Sequence, residues 1–142
     1  MNDIERAIQL LNDESVALCF NDDCVTMNEK GIKPLILLIE SGRDFSEYSA
    51  ADKIIGKAAA FLFVKLRVKA VYGRVMSRGA MEVFEKYAIP YSYSTFTETI
   101  INRKGSGICP MEEAVSDAVD PNDAYKKVQK KLSELQIREE RQ

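Results

Sequence analysis

Apolar positions recur along this chain at helical spacing in some stretches and in short strand-like runs in others. Ile4, Ala7, Ile8 and Leu11 fall on one helical face, with Asp3 and Glu5 where a helix dipole favours acids, so Asn2–Asn12 is expected to be a helix. Val16–Phe20 and Cys24–Met27 flank Asn21-Asp22-Asp23, the pattern of a β-hairpin. Pro34 suits the first position of a short helix to Glu40, which Ser41-Gly42 ends. Ser49–Val68 reads as one long helix, with Ser49 and Asp52 as a capping pair and an apolar surface around most of its girth past Lys57. Such a rod belongs inside a domain, and its charged first turns (Asp52, Lys53, Lys57) should face something polar. Gly56 inside it disfavours helix by roughly 1 kcal/mol relative to Ala, so it marks either tight packing or the close approach of a backbone or ligand.

Ala70–Met76 is the third expected strand, and Ser77 caps a helix running to about Tyr87. Ile89–Tyr93 is the fourth strand, Pro90 marking its start or an edge, and Thr95–Ile101 reads as a short helix. Pro110 opens another helix with Glu112 and Glu113 in its first turn. Asp120-Pro121 opens the last helix, whose Tyr125, Val128, Leu132 and Leu135 form a heptad stripe that fits either the domain or a second copy in a homodimer. These elements predict an α/β fold: an α/β/α three-layer sandwich around a mixed sheet begun by a hairpin, occupying residues 1–120, with a C-terminal helix over 121–142. The strand–helix–strand from Ala70 to Tyr93 should join parallel strands.

Composition narrows the chemistry. The chain has 142 residues, enough for one domain with a real core. Its 20 basic and 22 acidic side chains leave a net charge of −2, which argues against a duplex nucleic-acid binder. The first residues do not form a signal peptide, and the longest apolar run, Ala58–Val64, is too short to span a bilayer. Cys19, Cys24 and Cys109 are an odd number, read most simply as free thiols of a cytoplasmic protein. The complete absence of histidine removes Ser-His-Asp and Cys-His catalysis and every zinc site that needs imidazole; no metal and no cofactor is implied.

Three segments carry a resemblance. Gly31-Ile-Lys-Pro-Leu35, Ala50-Ala-Asp-Lys-Ile-Ile-Gly-Lys-Ala-Ala59 and Ile101-Asn-Arg-Lys-Gly-Ser-Gly-Ile-Cys-Pro-Met-Glu-Glu113 resemble the bacterial domain of unknown function 1893 family, over roughly Val16 to Val119. The resemblance implies a cytidine-deaminase-like fold and no particular activity. Zinc deaminases carry His-x-Glu at the start of the helix after the hairpin and Pro-Cys-x-x-Cys at the start of the helix after the next strand. On the elements expected here those places read Ala50-Ala51-Asp52 and Met76-Ser77-Arg78-Gly79-Ala80, with all zinc ligands missing, so zinc-dependent deamination is not expected.

Three hypotheses follow. In the first, Lys53 and Lys57 at a helix N-terminus hold a small anionic molecule, such as a nucleotide or nucleobase derivative. Asp52 would meet its polar edge, and Asn102, Arg103 and the flexible Gly105 would close the site. The plainer alternative is a cap and a solvated face. The second is a metal-independent enzyme using Cys109 as nucleophile or the Asp52/Lys53 pair as acid and base; the alternative for Cys109 is a small packed thiol before Pro110. The third is an interaction module built on the C-terminal stripe.

Overall fold

In the computed structural model, residues 1–102 and 104–141 are described, with side chains described as far as residue 136. A capping box of Asn2 and Glu5 opens α1 (Asp3–Leu10). Strands β1 (Val16–Phe20) and β2 (Asp23–Met27) form the expected hairpin, and α2 (Lys33–Glu40) follows with Pro34 in its first turn. Then come β3 (Ser49–Ile55), α3 (Lys57–Leu66), β4 (Ala70–Ser77), α4 (Arg78–Lys86), β5 (Tyr91–Thr97), α5 (Pro110–Ala114) and α6 (Pro121–Arg141). The sheet order is β2-β1-β3-β4-β5; β1 is antiparallel to β2 and β3, and β3, β4 and β5 are mutually parallel. The parallel pairing of β4 with β5 is as expected.

Helices cover both faces of this sheet. On one side Ala7 of α1 and Leu11 at its C-cap pack on Ala17, Cys19 and Ala51. On the other, α2, α3, α4 and α6 bury Leu35, Phe63, Phe84 and Val128 against Leu18, Ala50, Val71 and Met76. The alternation within β1 and β3 sets this up, since Ala17 faces Ala51 and Leu18 faces Ala50 in register.

Three expectations are corrected. The expected helix over Ser49–Val68 is a strand followed by a helix, so Ser49, Asp52 and Lys53 lie in β3 and not in a helical first turn. The reason is tertiary. β3 is paired on both edges and covered on both faces, which erases the period of two that would reveal it. Extended Gly56 then ends the strand and starts the helix. Second, β5 continues through Thr97 in register with β4, where a helix from Thr95 was expected; threonine and aromatic residues suit a strand better. Third, Cys19 and Cys24, directly opposite in the hairpin, form a disulfide, leaving Cys109 as the free cysteine. Adjacent positions on paired strands put the two sulfurs within reach, and the free-thiol argument for a reducing compartment loses its premise for that pair.

The inner part of the C-terminal stripe lies on its own chain. Val128 is fully buried in the main core, and Tyr125 and Leu132 pack against it. Lys65 of α3 donates to the Asn122 side chain and lies over the Tyr125 ring. Among the described residues no helix is long and apolar enough to cross a membrane.

Candidate functional site

Two parallel strands, β3 and β4, end side by side and feed α3 and α4, so two helix N-termini converge at one sheet edge. A Cβ added to Gly79 in the first turn of α4 would lie 3.3 Å from Lys57 Cβ at the first position of α3. The outer ends of parallel strands are where open α/β sheets usually carry their sites.

The start of α3 has no cap of its own, because Gly56 has no side chain to offer. A carboxylate from far along the chain takes that role. Lys57 N–H donates to Glu112 Oε1 at 2.7 Å, and Ala58 N–H donates to Oε2 at 2.9 Å. Both oxygens of one anion thus meet two free amides at the positive end of a helix dipole. Gly56 is required for the approach: a Cβ there would lie 2.2 Å from Glu112 Oε1 and 2.8 Å from Ile100 Cγ1. The Lys57 ammonium donates to the Ser116 carbonyl at 3.0 Å and sits 6.0 Å from the Phe61 ring centre. Lys57 therefore ties α3 to α5 through its amide and to the turn after α5 through its side chain.

Glu112 is delivered by a small arm. Ile101 and Ile108 bridge antiparallel, and Cys109 N–H donates to the Ile100 carbonyl at 3.0 Å. Asn102 and Gly105 shape the tip of this arm. Asn102 N–H donates to the Gly107 carbonyl, and its side-chain oxygen accepts from Ser106 N–H at 3.1 Å. Gly105 sits at φ +71°, which suits glycine, and donates to the Asn102 carbonyl. The polar groups of Asn102 are thus engaged in the turn. Arg103 lies outside the described residues. Cys109 is the half-buried residue before Pro110, and its carbonyl accepts from Glu112 and Glu113 N–H.

Asp52 lies upstream on β3, opposite Val16 on one side and Gly73 on the other. It is 7% exposed, and burial pushes its carboxyl up to about 7, against the smaller pull of the Ile54 and Lys53 amides. Among the described residues no cationic side chain pairs with it. Lys53 is the next residue on the strand, so the two side chains leave toward opposite faces, and its N–H donates to the Ser15 carbonyl.

The structure therefore gathers Lys57, Ile100 and Glu112 around Gly56, with Cys109 three residues before Glu112 and Asp52 four residues before Gly56 on β3. Glu112 was missed as a partner of α3, its position having been read only as favouring the dipole of its own short helix. The available signal was an apolar helix whose only candidate N-cap is a glycine. The helix starts compared with the deaminase signature lie elsewhere. The helix after the hairpin is α2, beginning Lys33-Pro34-Leu35, and the helix after the next strand is α3, beginning Lys57-Ala58-Ala59-Ala60. Neither start carries histidine or cysteine.

A family model described as "Domain of unknown function (DUF1893)" matches residues 6–132. The crystal structure of a DUF1893 family protein from Thermotoga maritima superposes with a TM-score of 0.82, at 24% identity, over 92% of this chain and 91% of that one. That likeness carries the fold. No curated protein matches.

Proposed function

We propose that this chain, which belongs to the DUF1893 family, binds a small anionic molecule at the N-terminus of α3, with Glu112 holding the ligand's place until it arrives. The observation that carries the reading is the two-oxygen grip of Lys57 and Ala58 N–H on one carboxylate, over a glycine that alone leaves room for it. A phosphate or carboxylate offers the same oxygens to the same amides. Glu112 sits on a five-residue helix held in the core by Met111 and Val115, so the exchange asks only its side chain to swing away.

The finer fold assignment supports a ligand class. The order hairpin, helix, strand, helix favours a deaminase-like fold without zinc ligands, and with it a nucleotide or nucleobase derivative as ligand. Lys57 then neutralises the anion. The compartment we propose is the cytoplasm; alkylation of protein taken directly from cells would count against it if Cys19 and Cys24 resisted labelling.

A second reading is favoured by one observation, the burial of Asp52 with its carboxyl pushed up to about 7. A carboxylic acid protonated near neutrality can act as a general acid toward a ligand reaching the sheet edge.

The test is a thermal-shift series with inorganic phosphate, nucleotides, nucleobases and phosphorylated metabolites on wild type, Glu112→Ala and Lys57→Ala. The proposal expects a compound that raises the midpoint of Glu112→Ala more than that of wild type, and that of Lys57→Ala least. Equal shifts in all three proteins, or none, reject the site.

A further inference from the structure

We propose that β5 is a self-association edge: two copies of this chain pair their β5 strands antiparallel about a two-fold axis at Ser94, joining two five-stranded sheets into one. β5 ends the sheet and pairs on one side only, with β4. Ser92 to Phe96 are exposed, and they include Tyr93 at 40% and Phe96 at 37%. Soluble proteins usually blunt such an edge with lysine, proline, a bulge or a covering segment. Tyr91-Ser-Tyr-Ser-Thr-Phe-Thr97 has no charge and no proline, and its register with β4 holds a constant offset from Val71–Tyr91 to Ser77–Thr97. The opposite edge, β2, is five residues long, begins at Asp23 and is cross-linked to β1.

The backbone shows what the edge needs. Val71 N–H donates to the Pro90 carbonyl while lying opposite Tyr91. In a parallel ladder a residue bonds to the two neighbours of the residue it faces, so Pro90 and Ser92 turn toward β4. Tyr91, Tyr93 and Thr95 then direct their N–H and C=O groups outward. A second strand satisfies them.

The occupant that fits is a second copy. A strand pairing with itself about a two-fold closes as a dimer, whereas β5 on the β2 edge of another copy would continue without end. The chain carries a net charge of −2, and the uncharged strand is where two acidic copies meet without opposing like charges. The charged groups beside the ends of the strand are engaged within their own chain. Tyr91 donates to Glu85 near one end of β5, and Arg78, which pairs with Glu98, lies 5.2 Å from the Phe96 ring near the other. Centring on Ser94 faces Tyr91 with the partner's Thr97 and Tyr93 with the partner's Thr95, which engages the whole strand.

The experiment is sedimentation velocity of the full chain from low micromolar to hundreds of micromolar, on wild type and Thr95→Pro. The proline removes an outward N–H and leaves the β4 ladder whole. The expected result is a wild-type dimer and a Thr95→Pro monomer with the same circular dichroism. Ser94→Cys in a Cys109→Ser background adds a readout that does not depend on folding of the proline variant: mild oxidation should give a covalent dimer whose cross-linked peptide joins the two introduced thiols. A wild type that stays monomeric throughout overturns the proposal. So does a dimer that persists in folded Thr95→Pro, or a dimer that yields no cross-link at position 94.

Discussion

The two strand-to-helix junctions at the sheet edge solve one problem in opposite ways. At the β4–α4 junction the cap is local: Ser77 Oγ accepts from Ala80 N–H three residues on, at 3.1 Å. At the β3–α3 junction the cap is remote: Gly56 contributes no side chain, and Glu112 crosses 55 positions of sequence to bond Lys57 N–H. A local cap finishes a helix and closes it to other partners. A borrowed cap leaves a helix end whose occupant is a separate piece of chain, and what one carboxylate fills another anion can fill. The strands leading in differ too, with buried Asp52 on β3 beside Gly73 on β4.

The glycines of the two junctions should separate most widely. Gly56→Ala drives a methyl into the Glu112 carboxyl and Ile100, and should destabilise the protein by about 4 kcal/mol through overpacking and loss of the charge-assisted bonds. Gly79→Ala meets Lys57 Cβ at 3.3 Å, a tight contact roughly offset by the ~1 kcal/mol gain in helix propensity. Urea denaturation of both variants checks the contrast, and similar losses would erase it.

Asp52 gives the next largest effect, and its sign is set by linkage. The unfolded carboxyl titrates near 3.8 and the folded one near 7, so between those values the folded state binds more protons than the unfolded. The contribution is fully present below about pH 4, declines as pH rises toward 7 and is level above. Asp52→Asn should flatten this slope and stabilise the protein at pH 8 by about 3 kcal/mol. Denaturation midpoints of both proteins from pH 4 to pH 8 test it, and parallel profiles would show that the side chain is ionised in the fold.

Glu112→Ala should cost about 2 kcal/mol, since it strips two amides of a charged partner. Ser77→Ala should cost about 1 kcal/mol, the usual loss of an N-cap. Added phosphate should recover part of the first loss and none of the second, as read from thermal midpoints at constant ionic strength.

The same contrast explains what could be read from sequence. Signals acting within a few residues were legible: Ser77 before its helix, Pro34, Pro110 and Pro121 at helix starts, and the hairpin turn at Asn21-Asp22. Signals that exist only between distant segments were not. Ser49–Ile55 looks helical because both its faces are covered and its alanines show no alternation. Ser49 and Asp52 imitate a capping pair there, three residues apart on what proves to be a strand. Glu112 cannot be matched to Lys57 by spacing, and the Cys19–Cys24 bond depends on a register that the turn only suggests. Of the candidate site, Lys57 was expected at a helix start together with Lys53 and the Asn102–Gly105 loop, while Glu112 and its grip on the start of α3 appear only in three dimensions.

The most direct measurement is an amide-resolved NMR titration of Glu112→Ala with inorganic phosphate at fixed ionic strength, with Ser77→Ala as the control. The account predicts saturable shifts at the Lys57 and Ala58 amides of Glu112→Ala, and no saturable response at the start of α4 in Ser77→Ala. Lys57 and Ala58 amides that stay still, or drift linearly and alike in both variants, would contradict it.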